Sequence, residues 1–266
     1  MAGPLRRGDS GTPHRHRWDV RARRYAASRR DEWIIWRDRR LHLEVLDGIE
    51  PRGTVLFHHG YGAYARLYLP TLGLLAEEGF NVVALDRPGH GLSDGRRGDC
   101  TVEELADVTR VVFVSARSWA QEPFILMGSS AGGILAACLL PYFDDTVSAG
   151  VCHNFLDPRW LRVGAPGRMI RRAAEGLPRL TFPYRLIPAR IRRGISAYPV
   201  VREWWTPGAD PHAAFDQTLR SVLSMTVGYD PPHPISGVQI PVLVVCGERD
   251  GMVRRLERRS RSQGAA

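Results

Sequence analysis

The chain has 266 residues, 44% of them hydrophobic and 24% charged, with a formal net charge of +9. This leaves room for one large domain, or one domain carrying an insertion, and excludes disorder as the main state. Residues 1–40 hold 12 Arg against 5 acids and residues 254–266 hold 5 Arg against 1, contributing +7 and +4, so the remaining 213 residues sum to −2 and form no basic nucleic-acid platform.

In chain order, residues 1–30 read as an Arg-rich disordered arm. "EWIIWRD" and "LHLEVLDG" predict a β-hairpin, and "TVLFHHG" (Thr54–Gly60) a buried strand ending in glycine. "RLYLPTLGLLAEEGF" predicts a helix ending at Gly79, and "NVVALD" (Asn81–Asp86) the next strand. Thr101 and Glu104 form a capping box for a helix running to about Ala120. "PFILMG" is a strand, "AGGILAACLL" a helix and "VSAGVCHN" a further strand. Alternation of strands and helices with near-continuous apolar strands predicts an α/β fold: a mostly parallel sheet with helices on both faces.

Residues 155–236, rich in Arg, Pro and Trp, break that rhythm and read as an inserted helical cap between core segments 31–154 and 237–253. Within the cap, "DPHAAFDQTLRSVLSM" predicts a helix starting at Asp210 with Pro211 in its first turn. "IPVLVVCG" resumes the strand pattern, and residues 254–266 are an Arg/Ser-rich tail. Cys100, Cys138, Cys152 and Cys246 stand far apart without metal-ligand spacing, which fits a reduced, cytoplasmic protein with no metal; Cys152 and Cys246, in apolar strands, are expected to be buried.

The chemistry centres on "GSSAG" (Gly128–Gly132). The pentapeptide alone is weak evidence, and helix starts with small residues are common. Following a strand and opening a helix, it takes the setting of a nucleophile elbow, with Ser130 exposed at a helix N-terminus. "HHGYG" (His58–Gly62) ends the strand expected beside it. The N–H groups of Tyr61 and Ala131 would then make an oxyanion hole.

These motifs, with "DRPGHGLSDG" (Asp86–Gly95) and "VLVVCGERD" (Val242–Asp250), resemble the α/β-hydrolase superfamily, and within it the monoglyceride lipases, lysophospholipases and related serine hydrolases, over about residues 32 to 253. The resemblance implies Ser130 as nucleophile, Tyr61 and Ala131 as oxyanion donors, Asp250 as the triad acid, a small-molecule ester substrate and no cofactor. His90 would fall in a structural turn.

Such a triad runs serine, acid, histidine along the chain, and all nine histidines precede Asp250. The expectation is a truncated or frameshifted C-terminus after about Val253, without the last strand and helix; the alternative is a chain whose function does not need the base. His59 and His90 are reserve candidates for the base and Asp157 for the acid, each with a structural role as the stronger reading, and Glu248 reads as a solvated turn carboxylate. The cap's Arg face opens peripheral contact with an anionic membrane as a second role, beside an ordinary solvated face. The competing overall reading is a non-catalytic member binding a small apolar ligand or a protein partner.

Overall fold

A computed structural model of the chain describes residues 23–154, 181–182, 210–225, 229 and 231–247. The apolar runs form one seven-stranded sheet. β1 (Arg29–Trp36) and β2 (Arg39–Leu46) make the hairpin, and β2 lies antiparallel to β4 (Asn81–Leu85). From β4 onward, β3 (Thr54–His58), β5 (Phe124–Ser129), β6 (Ala149–His153) and β9 (Val242–Val245) run parallel, giving the order β1-β2-β4-β3-β5-β6-β9. A separate pair joins β7 (Thr181–Phe182) to β8 (Gln217–Thr218).

Every residue of β3 and β4 is buried, because helices cover both faces of the sheet. On one face α2 (Val102–Ala116) and α3 (Ala131–Phe143) pack Leu105, Phe113, Leu135 and Leu139 onto Leu56, Val83 and Leu126. On the other, α1 (Leu69–Glu77) sets Leu72 and Leu69 against Phe57, Val82 and Ala84. Alternate residues of each strand thus feed two separate cores. Both halves of the capping box are present at Thr101 and Glu104, and α1 closes before Gly79, whose φ of 80° suits glycine.

The structure departs from the sequence reading in four places. Tyr25 is buried, its ring so close to Gly73 that a Cβ there would approach within 2.2 Å, and β1 starts at Arg29, so the fold takes in residues before Asp31. α2 stops at Ala116, where the Trp119 and Ala120 N–H groups close onto the Ala116 carbonyl. The helix expected from Asp210 starts only at Leu219 (α4, Leu219–Ser224): Asp210 accepts the His212 N–H at 2.8 Å, an Asx turn that diverts the backbone, and Thr218 supplies the cap. Cys246 is exposed, because β9 ends at Val245 and is itself exposed along its length.

Beyond the turn at Asp210–His212, residues 213–218 dock onto the loops that follow β3 and β4. Ala214 bridges Gly62, Thr218 N–H donates to the Gly98 carbonyl at 2.9 Å, and Tyr64 donates to Asp210 at 2.7 Å.

Candidate active site

Ser130 joins β5 to α3 with φ 58° and ψ −121°. A residue with a Cβ pays of order 1–3 kcal/mol for such a backbone conformation, so its neighbours must hold it. The Ser130 N–H donates to the His153 carbonyl at 2.9 Å, and its own carbonyl accepts from Gly133 at 2.8 Å and Ile134 at 3.2 Å. A Cβ on Gly128 would lie 1.9 Å from the Gly132 oxygen, and one on Gly132 would lie 2.0 Å from that of His58. The glycine spacing is therefore a steric requirement of packing α3 against β5 and β3.

Beside the elbow, Gly60–Ala63 form a turn closed by a 3.4 Å hydrogen bond, with Gly62 at φ 68° in the position that a type II turn reserves for glycine. Gly60 abuts the elbow: a Cβ there would stand 3.3 Å from Ser130 Cβ. Ala131 is the first residue of α3, so its N–H has no acceptor within the helix. The fold thus brings Ser130, Ala131 and the turn containing Tyr61 to one place. Asp250, Glu248 and Asp157 lie outside the described residues.

The reserve histidines are poorly suited to act as bases. His59 and His90 are buried, with ring centroids 5.2 Å apart. His59 Nδ1 contacts the Gly60 carbonyl at 3.0 Å and Nε2 receives the Arg87 backbone N–H at 3.3 Å, while His90 Nδ1 contacts the Pro88 carbonyl at 3.0 Å. Burial, then the positive charge of Arg87, holds His59 well below the usual histidine range and His90 at about 3. His58 is likewise held at about 3, and neither of its ring nitrogens has a hydrogen-bond partner among the described residues.

Three contacts to which the motifs assigned no role hold the site. The Tyr68 hydroxyl accepts the Gly60 N–H at 3.0 Å. Ser129 Oγ and His153 Nδ1 lie 2.9 Å apart in a hydrogen bond. Arg87 reaches Gly60 from beneath, donating to its carbonyl at 3.2 Å. His153 alone had a readable signal, since placing the strand after the elbow beside β5 pairs it with Ser129.

A second polar network braces the loop that follows β4. Asp86 accepts the N–H groups of Ala65 at 2.7 Å and Leu92 at 3.0 Å and bonds His42 Nδ1 at 2.9 Å; His42 Nε2 meets Asp31 at 2.8 Å. Burial opposes charge on His42, but Asp86 and then Asp31 outweigh it and raise its pKa. Asp31, His42 and Glu44 present ligand-type atoms within 4.8 Å of one another. Arg66 bonds both carboxylates and Arg29 pairs with Glu44 at 2.8 Å, so arginines supply the positive charge that a cation would bring.

Residues 49–265 match the profile of the family described as serine aminopeptidase, S33. The chain is 26% identical over 223 residues to a bifunctional esterase/perhydrolase of Acinetobacter calcoaceticus, covering 75% of each chain. It is 26% identical over 216 residues to a monoacylglycerol lipase of Mycolicibacterium smegmatis, covering 77% of this chain and 72% of that one. Its fold is shared with a monoglyceride lipase of Saccharomyces cerevisiae, with a TM-score of 0.64 at 16% identity over 84% of this chain and 78% of that one.

Proposed function

Because the chain belongs to the serine aminopeptidase S33 family of α/β-hydrolases, we propose that it is a serine hydrolase of carboxylic esters, with Ser130 as nucleophile. The observation that carries this reading is the strained backbone of Ser130 between β5 and α3, beside the Gly60–Ala63 turn. Ser130 Oγ attacks the acyl carbonyl and the Tyr61 and Ala131 N–H groups take the developing oxyanion; the serine proton passes through solvent water to the leaving oxygen, the alcohol departs, and water cleaves the acyl-enzyme to acid and free serine. Asp250 takes the part of the triad acid. Monoacylglycerols, lysophospholipids and small acyl esters are the substrate class; the names of the two relatives support its monoacylglycerol and ester members.

A triad of this type takes its base from a histidine after Asp250, and residues 251–266 hold none, so the reading for these 266 residues by themselves is slow turnover. Loss of the base costs several orders of magnitude in turnover, and an activated p-nitrophenyl ester is the substrate on which a Ser130-dependent remnant is expected. A fold that binds apolar ligands or a protein partner without catalysis is the competing reading.

Hydrolysis of p-nitrophenyl butyrate by the 266-residue chain beside Ser130→Ala tests the proposal. Turnover that vanishes in the variant is expected; equal background in both overturns it in favour of the binding reading. An aminoacyl p-nitroanilide run in parallel separates esterase from aminopeptidase chemistry. A cytoplasmic location is part of the proposal and is consistent with four free cysteines. So is peripheral contact between the Arg-rich cap and an anionic membrane, and liposome co-sedimentation indifferent to anionic lipid would remove it. Among the described residues no helix is long and apolar enough to cross a membrane.

A further inference from the structure

Arg87 is a buried cation, 5% exposed, with no ion pair among the described residues. Desolvating a guanidinium without a carboxylate partner is costly, so its contacts must return that energy elsewhere. They converge on Gly60. Arg87 Nη2 donates to the Gly60 carbonyl at 3.2 Å, and Arg87 Nε donates to His59 Nε2 at 3.3 Å. With Nε2 accepting, the neutral His59 ring carries its proton on Nδ1, which lies 3.0 Å from the same Gly60 oxygen. The Gly60 N–H is tied in turn to the Tyr68 hydroxyl at 3.0 Å.

Both polar groups of Gly60 are therefore held by side chains, the carbonyl by the buried Arg87 and His59 alongside the 3.4 Å bond from the Ala63 N–H, and the N–H by the partly buried Tyr68. In a planar trans peptide the N–H of the next residue points opposite to the carbonyl. Drawing the Gly60 carbonyl down onto Arg87 and His59 turns the Tyr61 N–H away from them, and the positive charge on the carbonyl polarises the peptide so that this N–H donates more strongly. We infer that Arg87, acting through His59 and the Gly60–Tyr61 peptide, is the positioning residue of the oxyanion donor Tyr61. The inference rests on the serine-hydrolase reading above. Arg87 keeps its charge at neutral pH, since burial lowers its pKa only to about 10, while the neighbouring His58, His59 and His90 are held neutral.

Arg87→Met and Arg87→Lys in the 266-residue chain test this by two readouts: p-nitrophenyl butyrate kinetics above the Ser130→Ala background, and the Tyr61 backbone amide resonance, which requires no turnover. Misplacing one oxyanion donor predicts a fall in kcat of about 10- to 100-fold in Arg87→Met, with KM within about threefold. Arg87→Lys, which keeps the charge but loses the fork, falls between Met and wild type; if only the Lys variant folds, its lowered kcat carries the test. The Tyr61 amide proton moves upfield in Arg87→Met by more than its neighbours do. An unchanged kcat, or a loss confined to KM, overturns the inference. If the wild-type chain shows no Ser130-dependent turnover, the serine-hydrolase reading fails and the amide decides: a Tyr61 resonance that stays in place overturns the positioning role as well.

Discussion

Gly132 stands so close to His58 that a Cβ on it would lie 2.0 Å from the His58 carbonyl oxygen and 2.6 Å from that of His59. The obstructing atoms are backbone, which cannot swing aside. Gly132→Ala should cost about 1–3 kcal/mol through overpacking and lower the melting temperature by several degrees, at roughly 2–4 °C per kcal/mol for a chain of this size. Thermal denaturation checks it, and an unchanged melting temperature would mean that α3 is not seated against β3 as described.

Acid should destabilise the fold through three buried histidines. His58 and His90 have folded pKa values of about 3 and His59 lies well below the ordinary value. The unfolded chain protonates these rings near pH 6.5 while the folded chain does not. Stability is thus retained above about pH 6.5 and falls below it by up to about 1.4 kcal/mol per pH unit per histidine. Urea unfolding at pH 7, 6 and 5 measures the slope, which His90→Gln should reduce.

His42 acts with the opposite sign. Its pKa is raised in the folded state because Asp86 and then Asp31 together outweigh the opposing effect of burial. Its stabilisation is fully present below the unfolded value and is lost as pH rises through the folded one. His42→Gln should remove this loss on the alkaline side of the unfolded value of about 6.5; identical pH profiles for variant and wild type would contradict the ion-pair description of the Asp86–His42–Asp31 chain.

Tyr64 and Asp210 clasp the turn beside the elbow to the segment before α4, at 2.7 Å. Tyr64→Phe and Asp210→Asn should each cost roughly 0.5–3 kcal/mol. In a double-mutant cycle their effects should not add, and strict additivity would show that the contact carries no energy.

Among the described residues β9 lies at the edge of the sheet and exposes Val242, Leu243, Val244 and Val245, each at least 40% accessible. Unpaired strand edges with apolar faces invite pairing with another chain. Light scattering should show self-association that rises with concentration and weakens in Leu243→Arg. A monodisperse monomer at high concentration would show that this edge does not pair.

The sharp turn at Ser130, the capping box at Thr101 and Glu104, and the succession of core strands and helices along the chain are written in local sequence. Each depends on short-range signals: apolar periodicity, a cap three residues from its partner, and glycines whose spacing is dictated by the sterics of a strand-to-helix turn. The segment from Asp210 misled because proline in a first turn also suits an Asx turn, and docking onto Gly62 and Gly98 decides between the two.

By itself, then, the sequence determined a mostly parallel α/β sheet with Ser130 at a sharp turn and Tyr61 and Ala131 as its expected donors. Only the tertiary structure decided that His59 and His90 are neutral buried rings, that His153 anchors the elbow, and that Arg87 grips Gly60. These pairings join residues far apart in the chain and are fixed by strand register and burial. Register is a property of the whole sheet, and burial shifts a pKa only once the neighbouring elements have closed around it.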